Sequence, residues 1–391
     1  MIEFKISAPG RIVLSGEHAM LYQKRTIMAS LDRRTTLKFC ELPDEQKIIK
    51  IEFTEVNLSL NVPLKKVRNF LFCDDMNNII SNNIRLTKYV KHFITLNGMW
   101  STNEQRFSLK LFFLLLSAFV YHEKLEIRPF HVNVTTELSI SGGLGSSTSF
   151  GVCLTACFIH WTRLQKGAHD DFDKNDLEKI RLYTTIYEEY IQDFTFPMDI
   201  HVCIYGKIVN FQCNTCERTD VWPMDVPKIK ILLIDTNICQ NNRERLRRMA
   251  ELKHSQSKYA NHRLNKIDEI TRKICKKLDE IITSHKNPNP TSTSLILQAT
   301  AYAELQELIQ ENQRILRISS LSHPTLDNIC SIAQSYGFAG KLTGFRGGFV
   351  YILLPPSTQE EQIRNLSTEL EAKGFNVTTT SVSCSGMKID D

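Results

Sequence analysis

The chain has 391 residues, 42% hydrophobic and 23% charged, with a formal net charge of +5. That is a globular composition, long enough for two domains with their own cores, and it excludes a disordered or fibrous chain. The mild positive charge suits an anionic small molecule and forms no patch for nucleic acid; the densest basic cluster, RERLRRM from Arg243 to Met249, reads as the solvated face of a helix.

Short extended runs come first: FKIS (Phe4 to Ser7), TTLKFC (Thr35 to Cys40) and IIKIEF (Ile48 to Phe53). A helix is expected over 107–122. Its apolar part, Leu109 to His122, falls short of the ~20 residues that span a bilayer, so it reads as a buried helix and no membrane partner is expected. HVNVTT (His131 to Thr136) is a further strand, and helices are expected over 146–163 and 176–193, separated by a polar loop from Lys166 to Asp176. The change of domain is placed near 215–230, giving domains 1–222 and 223–391. The second half opens with KILLID (Lys230 to Asp235), a buried strand, followed by helical segments at about 243–284, 296–319 and 324–337, the last with Pro324 in its first turn. His285 to Ser294 is a Pro- and Ser/Thr-rich connector. GFVYILL (Gly348 to Leu354), a helix about 358–373 and FNVTTTSV (Phe375 to Val382) complete an α+β chain. Eleven scattered cysteines without a secretory signal pattern imply free thiols in a reducing compartment, hence a cytoplasmic protein. The one CxxC, Cys213 to Cys216, has no second pair at zinc-binding spacing.

The stretch SISGGLGSSTSF, Ser139 to Phe150, sets three glycines among hydroxyl residues just before an apolar helix. Glycine admits positive φ and close ligand approach. A glycine loop feeding a helix N-terminus offers free N–H groups and a positive dipole end, which together suit phosphate. Composition alone equally describes a flexible loop with ordinary N-capping. The stretch is neither a Walker A loop nor a G-x-G-x-x-G fingerprint.

Two further blocks, SAPGRIVLSGEHAML (Ser7 to Leu21) and KLTGFRGGFVYILL (Lys341 to Leu354), flank GGLGSS in order. Together the three resemble the three motifs of the GHMP kinase superfamily, across nearly the whole chain. Within it, GEHAML followed by IMASLDRRT (Ile27 to Thr35), and the KLTG opening, resemble the mevalonate kinases. The resemblance implies a two-domain GHMP kinase fold: a ribosomal-S5-like N-terminal domain, a ferredoxin-like C-terminal domain and ATP in the cleft between them. It also implies Mg²⁺, mevalonate as small-molecule substrate, phosphorylation of its 5-hydroxyl in isoprenoid biosynthesis, and a homodimer.

On the helix KNDLEKIRLYTTIYEEYIQDF (174–194), Leu177, Ile180, Thr184, Tyr187 and Ile191 form a stripe at 100° per residue. Glu188 falls inside it and Glu189 opposite. A carboxylate there needs a metal, a cation or a plain buried salt bridge. The resemblance places a Mg²⁺-binding glutamate 11 residues before the catalytic aspartate. That spacing selects Glu188 and Asp199, with Ser147 as the other metal ligand. Asp199 would engage the attacking hydroxyl. Arg11, where the family has lysine, would act electrostatically on Asp199 and on the transferred phosphoryl group, because arginine keeps its proton. By the same resemblance Glu17 and His18 face the substrate. Ser141, Gly142, Gly143, Leu144, Gly145, Ser146 and Ser147 form the phosphate loop. Thr136 and Asn61 contact nucleotide, and Gly347 and Gly348 close against the loop.

The sequence departs from the family before the aspartate (QDFTFPMDIH, Gln192 to His201) and before the loop (Ser139-Ile140). It departs again at GFRGGF, with Phe345 and Arg346, and at Asn242 in place of a threonine. Arg346 is a candidate replacement cation. The alternatives to a mevalonate kinase are another GHMP enzyme, such as a phosphomevalonate or sugar kinase, or a non-catalytic ligand-binding relative.

Overall fold

The structure, a computed structural model, describes residues 1–140, 142–192, 196–214, 219–238, 242–285, 292–344 and 347–390, without the side chains of 242–246. In chain order the elements are β1 (Glu3–Ser15), β2 (Arg25–Glu41), β3 (Ile48–Phe53), β4 (Leu58–Pro63), α1 (Leu64–Leu71), α2 (Met76–Ile80), α3 (Asn83–Leu96), α4 (Asn103–His122) and β5 (Phe130–Thr136). Then come α5 (Ser146–Leu164), α6 (Lys174–Ile191), α7 (Pro197–Tyr205), β6 (Ile208–Cys213), β7 (Thr219–Met224) and β8 (Ile229–Asp235). The chain ends with α8 (Asn242–Ser255), α9 (Ser257–His285), α10 (Ser292–Ile318), α11 (Pro324–Ser335), β9 (Gly340–Thr343), β10 (Phe349–Leu353), α12 (Glu360–Ala372), β11 (Asn376–Val382) and β12 (Lys388–Asp390).

The strands join into one network whose main path is β4-β3-β5-β2-β11-β8-β10-β9. β2 is the hub. Its later half, Thr35 to Glu41, pairs with β5, its first half, Arg25 to Ala29, pairs with β6, and Leu31 meets Val382 of β11. From Ile27 to Cys40 it runs antiparallel to β1, with register shifts. Among the described residues, only β3 and β5 pair in parallel. Two large apolar clusters flank this network. One packs α4 and α5, with Phe112, Phe119, Phe158 and Trp161, on β1, β2, β3 and β5. The other packs α9, α10 and α11 on β8 and β10, and draws in Ile12, Leu14, Ile27 and Leu31 from β1 and β2.

Several elements differ from the expectation. FKIS and TTLKFC are parts of strands of 13 and 17 residues. The block SAPGRIVLS thus lies in β1, where Pro9 and Gly10 sit at a register shift against β2; a shift tolerates a residue without an N–H to pair. The long helix expected over 243–284 is broken at Gln256 into α8 and α9, where Ser255 Oγ donates to the Glu251 carbonyl, a back-bond that bends helices. Asp199 lies in the first turn of a further helix, α7, which Pro197 opens at its first position, where a missing N–H costs nothing. Cys213 ends β6 and is a free thiol, whereas Cys216 lies outside the described residues. Among the described residues no helix is long and apolar enough to cross a membrane.

Candidate active site

A cavity of about 400 Å³ opens where β1, the α5 N-terminus, α6 and α7 converge. Among the predicted functional side chains that line it are Arg11, Ser147, Glu188 and Asp199. They arrive from separate elements, so only the fold brings them together.

The loop before α5 is shaped by glycine. Gly145 caps the helix at φ +82°, in the left-handed region, and a Cβ there would sit 3.2 Å from Arg11 Cγ. No side chain caps the helix, so the amides of its first turn remain available to a ligand. Gly344, also left-handed at φ +74°, presses on the other side of the loop: a Cβ there would come 2.6 Å from the Gly143 carbonyl. Gly348 sits against the Gly142 carbonyl in the same way. The loop is thus held between β1 and the β9–β10 turn.

Arg11 ties the site together. Its backbone N–H donates to the Leu144 carbonyl at 2.8 Å, Nη1 donates to the Gly143 carbonyl, and Nη2 to Asp199 Oδ2. Arg11 and Asp199 are each 6% exposed. Burial works against the guanidinium charge, but Asp199 more than offsets it and holds the Arg11 pKa above its usual value. Glu188 is 1% exposed, while Glu189 next to it faces solvent. Burial first, then the charge of Asp199, push the Glu188 carboxyl up to about 8, against a hydrogen bond from Thr148 and the pull of Arg11. Glu188 Oε1, Asp199 Oδ1 and Arg11 Nε are buried without a hydrogen-bond partner. Buried polar atoms are normally paired, so these three are the atoms at which a ligand could be held.

The other predicted residues are placed unevenly. Gly143, Gly145 and Ser146 line the cavity with Ser147, and Thr136 does so from the end of β5, bonded to Thr35 at 2.9 Å. Leu144 is buried beneath the loop and contributes its carbonyl to Arg11, while Gly142 lies half-buried beside it. Glu17 and His18 do not line the cavity. Both are fully buried in the turn after β1, where the Glu17 carboxylate accepts from Lys341 Nζ of β9. Asn61 is exposed on β4, also outside the cavity wall. Ser141, Phe345 and Arg346 lie outside the described residues, as does the side chain of Asn242. Sequence reasoning missed the opposite wall: Phe53 and Glu55 from the β3 end, Asn103, Glu104 and Phe107 from the start of α4, and Phe150. The one signal was the polar STNEQ preceding the apolar run, which marks a helix start that could face a ligand.

Residues 296–372 match the family model for the GHMP kinases C-terminal domain. The mevalonate kinase of Gibberella zeae is 24% identical over 406 residues, covering 99% of this chain and 77% of that protein. The human mevalonate kinase is 25% identical, covering 98% and 94% respectively. The crystal structure of L. major mevalonate kinase in complex with R-mevalonate superposes with a TM-score of 0.66 at 15% identity, covering 98% of this chain and 96% of that one. Residues 296–372 are thus similar to the C-terminal domain of the GHMP kinases, and the fold is that of the solved structure just described. Along its full length the chain is similar to mevalonate kinases.

Proposed function

We propose that this chain transfers the γ-phosphoryl group of ATP to the 5-hydroxyl of mevalonate, in the cytoplasm and as a homodimer, as a step toward isoprenoids and sterols. The observation that carries the reading is the Arg11 bridge: one guanidinium joins the glycine-loop carbonyl of Gly143 to the carboxylate of Asp199 inside a single cavity. The relatives named above support the choice of substrate.

In this reading the loop amides from Gly142 to Ser147 and the α5 dipole hold the phosphates, with Thr136 at the mouth. The apolar wall of Phe53, Phe107 and Phe150 receives the base and keeps water out. Asp199 accepts the proton of the attacking hydroxyl through the oxygen that Arg11 leaves free. Arg11 stays protonated, holds that carboxylate in place and offsets charge on the transferred phosphoryl group. Glu17 and His18, buried behind the cavity, would shape the substrate end through the β1 turn, and Asn61 would reach nucleotide only at its outer edge. The division into 1–222 and 223–391 accompanies this reading.

Magnesium fits the site. The ion takes one or two protein carboxylates and otherwise phosphate and water oxygens. Glu188 offers a buried, unpartnered oxygen and Ser147 a hydroxyl on the same wall. Among the described residues no group of three or more His, Cys, Asp or Glu is arranged to hold a metal without substrate oxygens. When bound, the ion would neutralise the β- and γ-phosphates. The test is a coupled ADP-release assay with Mg-ATP and mevalonate, run beside Asp199→Asn and a panel of phosphomevalonate and sugars. Turnover on mevalonate that falls by about 10³-fold in the variant is expected. Turnover only on another alcohol, or ATP binding without product, would overturn the substrate assignment.

A further inference from the structure

β1 carries partners on both of its edges. One edge pairs with β2; on the other, β12 takes Lys5 to Ser7. Further along that second edge, the Arg11 N–H donates to the Leu144 carbonyl of the glycine loop at 2.8 Å. Val13, two residues on and facing the same way along the strand, meets a side chain instead. Its N–H donates to Thr343 Oγ1 at 2.9 Å, and Thr343 Oγ1 donates to its carbonyl at 3.1 Å. One hydroxyl, donor and acceptor at once, thus satisfies both main-chain groups of a residue 330 positions away. Val13 and Thr343 are fully buried, where unpaired main-chain groups are costly. Thr343 ends β9 and registers against Phe349 of β10. The next residue is Gly344, whose missing Cβ lets it lie against the Gly143 carbonyl. Loop and turn therefore dock on one short stretch of β1, the loop at Arg11 and the turn at Val13.

We propose that Thr343 is a positioning residue for the nucleotide: its hydroxyl fixes the β9–β10 turn on β1 where Gly344 backs the Gly143 carbonyl, and so holds the glycine loop in the shape that receives phosphate. The proposal rests on the reading of that loop as the phosphate site. Thr343 does not line the cavity; it acts through Gly344 and the loop. The Gly143 carbonyl also accepts from Arg11 Nη1, so it is held from two sides. Releasing the turn frees that peptide to rotate. A rotated peptide points a carbonyl where an amide should face phosphate, and small misplacements of this kind are costly in a preorganised site.

The experiment measures ADP affinity by calorimetry on the full chain with Mg²⁺, with melting temperatures and KM values alongside. Thr343→Val keeps the shape and removes the hydroxyl, and Thr343→Ser keeps the hydroxyl. Tyr351→Phe is the control. Tyr351, fully buried on β10, donates to the Leu14 carbonyl at 2.8 Å, so its loss also unties β1 from the C-terminal strands, but at Leu14 rather than at the turn. Melting is expected to fall in both Thr343→Val and Tyr351→Phe. Roughly tenfold weaker ADP binding and a raised KM for ATP are expected in Thr343→Val alone, the equivalent of one lost hydrogen bond to phosphate. Thr343→Ser is expected to bind near the parental value. Thr343→Ala carries the same comparison should the valine variant fail to fold. Parental ADP affinity in Thr343→Val with lowered melting would reduce Thr343 to packing and overturn the positioning role alone. Equal weakening in Tyr351→Phe would assign the loss to a loosened β1 and overturn it too. A parent chain that is folded and binds no ADP would overturn the phosphate-loop reading and the positioning role with it.

Discussion

Lys341→Met tests the ion pair that ties the first motif block to the last. Lys341 and Glu17 stand 324 residues apart in sequence, and both side chains are 0% exposed. Lys341 Nζ donates to the Glu17 carboxylate and also to the Leu342 carbonyl at 2.9 Å, with the Tyr351 ring centre 5.9 Å away. Methionine keeps most of the lysine stem and deletes the ammonium, taking the Lys341 charge away from the buried Glu17 carboxylate. Removing one member of a buried pair costs about 3–5 kcal/mol, whereas replacing both with apolar groups is often close to neutral. Lys341→Met is therefore expected to lose about 3–5 kcal/mol, and Glu17→Leu with Lys341→Met to recover most of it, a coupling of roughly 3 kcal/mol. Against a total stability of about 5–15 kcal/mol the single loss is easily resolved. Urea unfolding at pH 7, followed by circular dichroism and by tryptophan fluorescence, reads it as a shift in midpoint at constant slope. A loss below about 1 kcal/mol in the single variant, or a double variant no more stable than the sum of the two single losses, would refute the reasoning.

Gly145→Ala forces a side chain into the left-handed region beside Arg11, at a cost of about 1–3 kcal/mol, so calorimetric ADP affinity is expected to fall roughly tenfold. Removing the divalent cation with a chelator is expected to abolish ADP release and added Mg²⁺ to restore it; turnover that persists in the chelator would refute the magnesium assignment. His160 supplies a pH test. Burial first, then His169, hold it at about 4, against the pull of Asp170 and Asp176, and its Nδ1 lies 2.6 Å from His169 Nδ1 with Phe4 and Phe172 packed on the ring. Because the folded value lies below the ordinary 6.5, the unfolded chain binds a proton the folded one refuses. The contribution is thus complete above pH 6.5 and is lost as pH falls toward 4. His160→Phe is expected to flatten the acid limb of the stability curve by on the order of 2 kcal/mol, measured by urea unfolding at stepped pH; parallel curves would refute it.

Local chemistry made much of this molecule legible. The apolar run 109–122 had to be buried, and α4 is. The 3.6-residue stripe of the helix 174–194 separated Glu188 from Glu189, and the structure buries the first and exposes the second. The glycine loop announced a helix N-terminus, and Gly145 stands at the cap of α5. Strand extents were not legible, because a strand grows as far as a neighbour will pair with it. β1 runs through Pro9 and Gly10 only because β2 accepts a register shift there.

The sequence by itself determined the parts list: glycine where backbone and ligand must approach, hydroxyls at a helix start, one inward glutamate and charged residues on the first and last motif blocks. These follow from residue type and periodicity, which act over a few residues. The tertiary structure alone decided who meets whom. Arg11 reaches Asp199 across 188 residues, Gly344 seats the loop from the far end of the chain, and Glu17 spends its charge on Lys341 rather than on the cavity wall. Burial makes each of those pairings strong, and burial is a property of the packed chain that no local window contains.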